Sequence, residues 1–76
     1  MWNTIEENKF AIVYVYQGIC YLGRVVDNTD EHVVLETPEV YDHEKLYMEE
    51  ANVTLDKIDV ELMAEIRYMD LKERLM

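Results

Sequence analysis

Short apolar runs separated by turn-forming residues fill the first 58 positions of the chain. The runs are rich in β-branched and aromatic side chains, and most of them alternate with polar residues, as strands with one buried face do. The first run is apolar at nearly every position, which is expected of a strand buried on both faces. The pattern predicts five β-strands, at residues 10–16, 19–27, 32–36, 45–48 and 52–58.

The second predicted strand contains a glycine, Gly23, in its interior. Glycine weakens a strand unless the backbone bends sharply or another segment approaches closely, so Gly23 predicts a bend in a long, curved strand. Gln17 and Gly18 are expected to turn the chain before this strand, and residues 28–30 form the polar turn after it. A sharply bent strand among five short ones is typical of a small barrel, of the SH3-like, OB or Sm type.

Pro38 is predicted to end the third strand, because proline has no amide hydrogen to donate to a neighbouring strand. Residues 39–44 are then expected to form a polar connection in which Val40 and Tyr41 are isolated apolar residues.

Helical segments are predicted at both ends of the barrel. Asn3 or Thr4 could cap a single N-terminal turn, with Glu6 and Glu7 placed where carboxylates favour the helix dipole. Residues 59–75 are mostly strong helix formers and predict a longer C-terminal helix. Its apolar stripe is expected at Leu62, Ile66 and Met69.

The start of the C-terminal helix has an alternative. Ile58, Val60 and Leu62 also alternate as the residues of a strand do, so the fifth strand could continue and the helix begin near Met63.

The chain has 76 residues, which predicts a single domain over residues 1–76, with the barrel at about 10–58. A domain of this size buries only about 60% of its unfolded surface and commonly needs a further source of stability. The single cysteine, Cys20, cannot form an internal disulfide, and no cysteine and histidine spacing indicates a metal site. We therefore expect oligomerisation. With no long apolar run and no leader-like segment, we also expect a cytoplasmic protein without a membrane partner.

Acidic residues outnumber basic ones, 17 to 7, and give a formal charge of −10. This charge disfavours sequence-independent binding to the phosphates of nucleic acids. The acids are densest at residues 36–50, which hold 6 acidic residues and 1 basic residue. That segment indicates either a solvated loop or a surface for a basic partner or a cation.

Residues 18–35, GICYLGRVVDNTDEHVVL, resemble the first sequence motif of the Sm and LSm family, in the form found in the bacterial RNA chaperone Hfq. The resemblance rests on Gly18, the alternating residues up to Gly23, the turn with Asp30 and the apolar run that follows it. Residues 46–53, LYMEEANV, are similar to the second motif. Residues 10–58 are covered.

The resemblance implies a strongly bent five-stranded barrel whose fourth and fifth strands pair with neighbouring subunits in a homo-oligomeric ring. A ring leaves no strand edge unpaired and would supply the missing stability. On the family pattern, the subunit interface would contain Leu46, Tyr47, Met48, Val53 and Leu55.

The resemblance also implies binding of single-stranded RNA, or of DNA, through two loops at the inner rim of the ring. His32 could stack on a base and Asn52 could hydrogen-bond to one. The nucleic-acid-binding residues would be Asp30, His32, Asn52 and Arg24.

The sequence departs from Hfq at Glu49 and Glu50, which stand where Hfq has a lysine and a histidine. Repeated around a ring, these carboxylates would make the pore negative. A second hypothesis follows, an acidic protein-interaction ring that binds no nucleic acid and contacts a basic protein partner.

No residue pattern predicts catalysis. The chain contains no serine, its histidines are scattered, and no pair of carboxylates is singled out by spacing. Cys20 is expected to be a small buried apolar residue. We therefore expect a protein that is not an enzyme and needs no cofactor.

Overall fold

The computed structural model describes residues 5–66, which form six β-strands and two short 3₁₀ turns. Within this range there is no α-helix. The strands are β1 (Phe10–Val15), β2 (Ile19–Asn28), β3 (His32–Asp42), β4 (Lys45–Met48), β5 (Val53–Asp56) and β6 (Val60–Ile66). The 3₁₀ turns are Tyr16–Gly18, between β1 and β2, and Lys57–Asp59, between β5 and β6.

All six strands belong to one antiparallel sheet with the order β4-β3-β2-β1-β6. The remaining strand, β5, pairs with the same edge of β3 as β4 does, but with residues 32–35 rather than 39–42. The long β3 therefore carries two short strands end to end along one edge. The prediction of a mainly β domain is confirmed.

The sheet bends where Gly23 of β2 lies opposite Pro38 of β3. The register shifts between Leu22 and Arg24, where β3 contributes the additional residue. A Cβ on Gly23 would lie 3.1 Å from the Pro38 Cβ and 3.3 Å from the Glu36 carbonyl oxygen. The bend predicted at Gly23 is therefore present, and it depends on this close approach of β3.

The core lies on one face of the bent sheet, which we call the inner face. β1 contributes Ala11, Val13 and Val15 to it, at every second position as a strand requires. The other buried members of the core cluster come from β2, β3, β6 and the segment before β1: Val25, Val33, Leu35, Met63 and Ile5.

Pro38 does not end β3, contrary to the prediction, and residues 39–42 continue the strand. Pro38 sits at the bulge, where a missing amide hydrogen costs no regular ladder bond, and it is fully buried. Its carbonyl oxygen accepts a hydrogen bond of 2.9 Å from the Glu49 amide. Val40, predicted to lie in a polar connection, is a fully buried strand residue.

The helix predicted over residues 59–75 is wrong as far as the structure describes it. Residues 60–66 form β6, which pairs with β1. Val60 and Met63 pack on the core, whereas Leu62 is exposed. The alternative is not observed either: the fifth strand ends at Asp56, Ile58 lies in the 3₁₀ turn, and residues 63–66 are strand and not helix. Pairing of residues 60–66 with β1 outweighs their helix propensity. The rest of the predicted helix, after Ile66, lies outside the described residues.

The predicted N-terminal helical turn is also absent where it can be assessed. Residues 5–9 contain no helix; the Asn8 amide donates to the Val25 carbonyl oxygen, and the Lys9 carbonyl oxygen accepts from the Val25 amide, both at 2.8 Å. The capping residues Asn3 and Thr4 lie outside the described residues. Closure of the five-stranded barrel is not observed either, since the strand pairing found over residues 10–66 leaves the sheet open.

Candidate functional site

The sheet has a second apolar face, opposite the core, which we call the outer face. Residues paired directly across strands point to the same side, so the strand register defines two rows on it. One row runs through Ala64, Ile12, Leu22, Glu39 and Met48. The next row runs through Leu62, Tyr14, Cys20, Tyr41 and Leu46.

The centre of the outer face is buried and its margins are exposed. Leu22 is only 2% exposed, whereas Leu46 and Met48 on β4 are 58% and 61% exposed and Leu62 on β6 is 56% exposed. A cavity of about 290 Å³ lies over the centre. It is lined by Ile12, Tyr14, Gly18, Cys20, Leu22, Tyr41 and His43. Exposed large apolar residues grouped around a hollow are typical of an interaction surface.

One end of the outer face carries charge. Arg24 forms an ion pair with Glu36 and donates a hydrogen bond of 2.6 Å to the Asn8 side-chain oxygen. Glu39 lies beside this pair, and its Oε2 atom is buried without a hydrogen-bond partner within the described part of the chain. A second cavity, of about 250 Å³, is located here. It is lined by Phe10, Leu22, Gly23, Arg24, Glu36, Thr37, Glu39 and Met48.

The inner face opens to solvent near Tyr21. A cavity of about 230 Å³ lies there, lined by Val15, Tyr16, Ile19, Tyr21, Thr54, Leu55, Asp56 and Asp59. Burial raises the pKa of the Tyr21 hydroxyl above its usual value, and the nearby Tyr47, Glu49 and Asp42 raise it further. This end of the core therefore has a negative environment.

The residues predicted to bind nucleic acid lie at two places along β3, with Asp30 and His32 at its start and Arg24 and Asn52 beside residues 36–37. Asp30 is exposed in the β2–β3 turn, and His32 Nε2 lies 3.0 Å from the Asp27 carboxylate. Asn52 precedes β5, and its side-chain oxygen accepts a hydrogen bond of 3.2 Å from the Thr37 amide. Arg24 is on the outer face. Three of the four side chains thus have intramolecular polar partners, and these partners account for their positions.

The residues predicted to form a subunit interface divide between the two faces. Leu46 and Met48 lie on the outer face of β4, while Tyr47 is on the inner face in register with Val40. On β5, Leu55 packs against the core and Val53 is half-buried. Their role in a subunit interface stays a prediction, which the arrangement within one chain does not test.

Glu39 and Tyr41 were missed by the sequence analysis because Pro38 was expected to end the strand. The sequence does contain a signal for the strand. The apolar Pro38 and Val40 stand two residues apart with the charged Glu39 between them, which is the alternation typical of a strand.

The described residues were compared with the arrangements typical of metal sites and of membrane-spanning helices. Residues 5–66 contain no group of three or more histidine, cysteine or acidic side chains arranged to hold a metal ion. The same residues include no helix long and apolar enough to cross a bilayer.

Comparison with known proteins identifies a structural neighbour but no sequence family. No family model and no curated protein matches the chain. Among the solved structures that match, one chain from the crystal structure of the NatC complex bound to CoA superposes with a TM-score of 0.70 at 18% sequence identity. The alignment covers 88% of this chain and 86% of that chain. At this identity, the match shows a shared fold between chains of similar length.

The prediction of Sm and LSm membership is therefore wrong: no family model supports it, and the structural neighbour described above belongs to the NatC complex. The motif at residues 18–35 consists of a bent strand, a turn and an apolar strand. A small, strongly curved antiparallel sheet needs these elements whatever its family.

The predicted RNA-binding ring is wrong for the same reason. It rested on the family resemblance, whereas the structural neighbour is a chain of a protein complex. The acidic protein-interaction ring loses its support as well.

Proposed function

We propose that this chain is a non-catalytic subunit of a protein assembly and binds a basic protein partner through the outer face of its sheet. The observation that carries the proposal is the outer face itself, whose centre is concave and apolar and whose margins expose Leu46, Met48 and Leu62.

The chemistry of this face suits a protein partner. Burying exposed leucine and methionine side chains gains about 25 cal/mol per Å² of apolar surface removed from water. The formal charge of −10 favours a partner of opposite sign, because complementary charge speeds encounter and excludes acidic competitors. The structural neighbour, a chain within a complex, supports this class of function.

A non-catalytic role is supported by the chemistry of the described residues. Cys20 is buried and therefore poorly placed as a nucleophile. His32 is directed at Asp27, and no serine is present in the sequence to complete a triad.

We also infer that the curvature of the sheet gives the domain a barrel-like form. Leu55 of β5 and Val60 of β6 pack against the same core cluster, although their strands are not paired with each other.

The test begins with isolation of the assembly from the cells that express the chain, followed by reconstitution with the purified partner. Leu62→Glu removes an exposed apolar side chain from the margin of the outer face and is expected to weaken binding about tenfold or more, because the apolar contact is lost and a carboxylate must be desolvated there. Ile58→Glu is the matched control, since Ile58 is 92% exposed and lies in the 3₁₀ turn after β5.

The proposal requires a stoichiometric complex whose affinity falls with Leu62→Glu and not with Ile58→Glu. It fails if both variants bind as the wild type does, or if the purified chain alone forms the outer-face contact with a second copy.

A further inference from the structure

We infer that the cavity beside Glu39 is a binding site for a lysine or arginine side chain of the protein partner. This inference rests on the proposed function and identifies the chemical group that the outer face would recognise. The cavity, which we call the Glu39 pocket, is the space of about 250 Å³ lined by residues of β1, β2, β3 and β4 that is described above.

The walls of the Glu39 pocket match the aliphatic stem of a basic side chain. Phe10, Leu22 and Met48 line it from three different strands. Long basic side chains place their methylene groups along apolar surface and keep the charged group at a polar site. Met48 is exposed at the margin and has the flexibility to adapt to a stem of either length.

The charge balance in the pocket favours a cation. Its charged groups are Arg24, Glu36 and Glu39. Arg24 already pairs with Glu36 and with Asn8, which leaves Glu39 without compensation. Three charged residues, two negative and one positive, give the pocket a net charge of −1.

The position of Glu39 makes its carboxylate the recognition group. Its Oε2 atom is buried and lacks a hydrogen-bond partner in the described part of the structure. A buried acceptor without a partner is costly, and a charged donor supplied by another protein would remove that cost. Burial among apolar side chains would also strengthen the attraction between the two charges.

The experiment uses the isotopically labelled chain and three short capped alanine peptides that differ at their central residue. The central residue is lysine, arginine or norleucine, and norleucine keeps the stem but has no charge. The lysine and arginine peptides are expected to cause saturable NMR shift changes at the Gly23, Thr37 and Met48 amides. The norleucine peptide should bind about tenfold more weakly or not at all.

Three substitutions test the site. Glu39→Gln keeps the shape of the side chain but removes its charge, and it is expected to weaken binding of the lysine and arginine peptides about tenfold. Glu50→Gln removes an exposed carboxylate after β4 and should leave the affinity unchanged. Met48→Ala should weaken binding through the lost stem contact, and it keeps the test valid if Glu39→Gln does not fold.

The inference is overturned if no basic peptide gives saturable shifts, if norleucine binds equally well, or if Glu50→Gln weakens binding as much as Glu39→Gln. These outcomes are separate from failure of the proposed function, because a partner can bind the apolar rows of the outer face without occupying this pocket.

Discussion

At the scale of single residues, the fold depends on the contact between Gly23 and Pro38. The two residues meet where β2 and β3 bend together, and the space left by the missing glycine side chain is filled by the proline ring. Backbone as well as side-chain atoms of β3 stand within 3.3 Å of a Cβ placed there. The contact therefore has little freedom to relax.

Gly23→Ala is expected to lower the free energy of unfolding by about 1–3 kcal/mol, because the added methyl group forces β3 away from β2. Urea denaturation measures the change. An alanine variant as stable as the wild type would contradict the close packing.

Gly18 provides the comparison, since it has φ +75 and only ordinary contacts, at 3.9 Å from His43. Asparagine tolerates positive φ better than alanine does. Gly18→Asn should therefore be more stable than Gly18→Ala, whereas Gly23→Asn should be less stable than Gly23→Ala.

Tyr21 gives the fold a dependence on alkaline pH. Its pKa is raised above the ordinary value of 10.0, so the folded protein holds the hydroxyl proton more tightly than the unfolded chain does. The stabilisation is complete below about pH 10 and is lost as the pH rises further, because deprotonation then favours the unfolded state.

We expect Tyr21→Phe to reduce the fall in unfolding free energy as the pH rises above about 10, since the substituted ring has no proton to lose. Urea denaturation across this range tests the prediction. Tyr16→Phe removes an exposed hydroxyl and is the control. If both variants reduced the pH dependence of the unfolding free energy equally, the effect would not be specific to Tyr21 and the prediction would be wrong.

At the scale of elements, β6 is the strand whose pairing decides which of residues 60–66 are buried. It pairs with β1 along its length and brings Met63 into the core opposite Val13. Leu62, the preceding residue, points to the outer face, where it stands in register with Tyr14. The two neighbours therefore have opposite roles, as the alternation of side chains along a strand requires.

Met63→Ala is expected to lower the free energy of unfolding by about 2–4 kcal/mol, since a packed core side chain is lost. Leu62→Ala, at an exposed position, should cost about 0.5 kcal/mol or less. Denaturation of both variants distinguishes the strand from a helix, in which Leu62 would be the buried residue and the order of the two effects would reverse.

The pattern of apolar and turn-forming residues predicted those strands whose formation depends on residues close together in the sequence. The predicted strands 10–16, 19–27 and 45–48 match β1, β2 and β4 to within one residue, because β-branched runs and glycine turns specify them. The continuation of β3 past Pro38 and the conversion of residues 60–66 to strand depend on Gly23 and β1, which are distant in sequence. Propensity alone could not reveal them.

The candidate site was predicted less well than the fold, for a related reason. Leu46 and Met48 were identified as interface residues from a family pattern, and they lie at the margin of the outer face. Glu39, which lines the charged pocket, falls in the predicted connection because Pro38 was expected to end the strand, and its strand partners Leu22 and Met48 come from other parts of the chain. A pocket built by four strands has no signature in any one of them.

At the scale of the whole molecule, charge opposes folding. With a formal charge of −10 on 76 residues, the carboxylates repel one another more strongly in the compact state than in the unfolded chain. Dissolved salt screens this repulsion over distances of about 10 Å at moderate ionic strength.

Raising sodium chloride from about 20 mM to about 200 mM is therefore expected to increase the free energy of unfolding. Denaturation by urea, which adds no ions, measures the effect. Glu50→Lys changes the formal net charge from −10 to about −8 and should reduce the gain from salt. A wild-type protein that loses stability as salt is added would contradict the prediction.

The single thiol of the chain lies beneath the outer face, where Cys20 is buried between Tyr14 and Tyr41 in the same row. Cys20 is 8% exposed and lines the cavity over the centre of this face, so a cysteine reagent reaches it from the outer face. The rate of alkylation consequently reports how accessible that cavity is, with no label introduced by mutation. A protein bound to the outer face would slow the reaction. The alkylation rate of Cys20 in the wild-type chain therefore measures how much of the outer face is occupied by a partner.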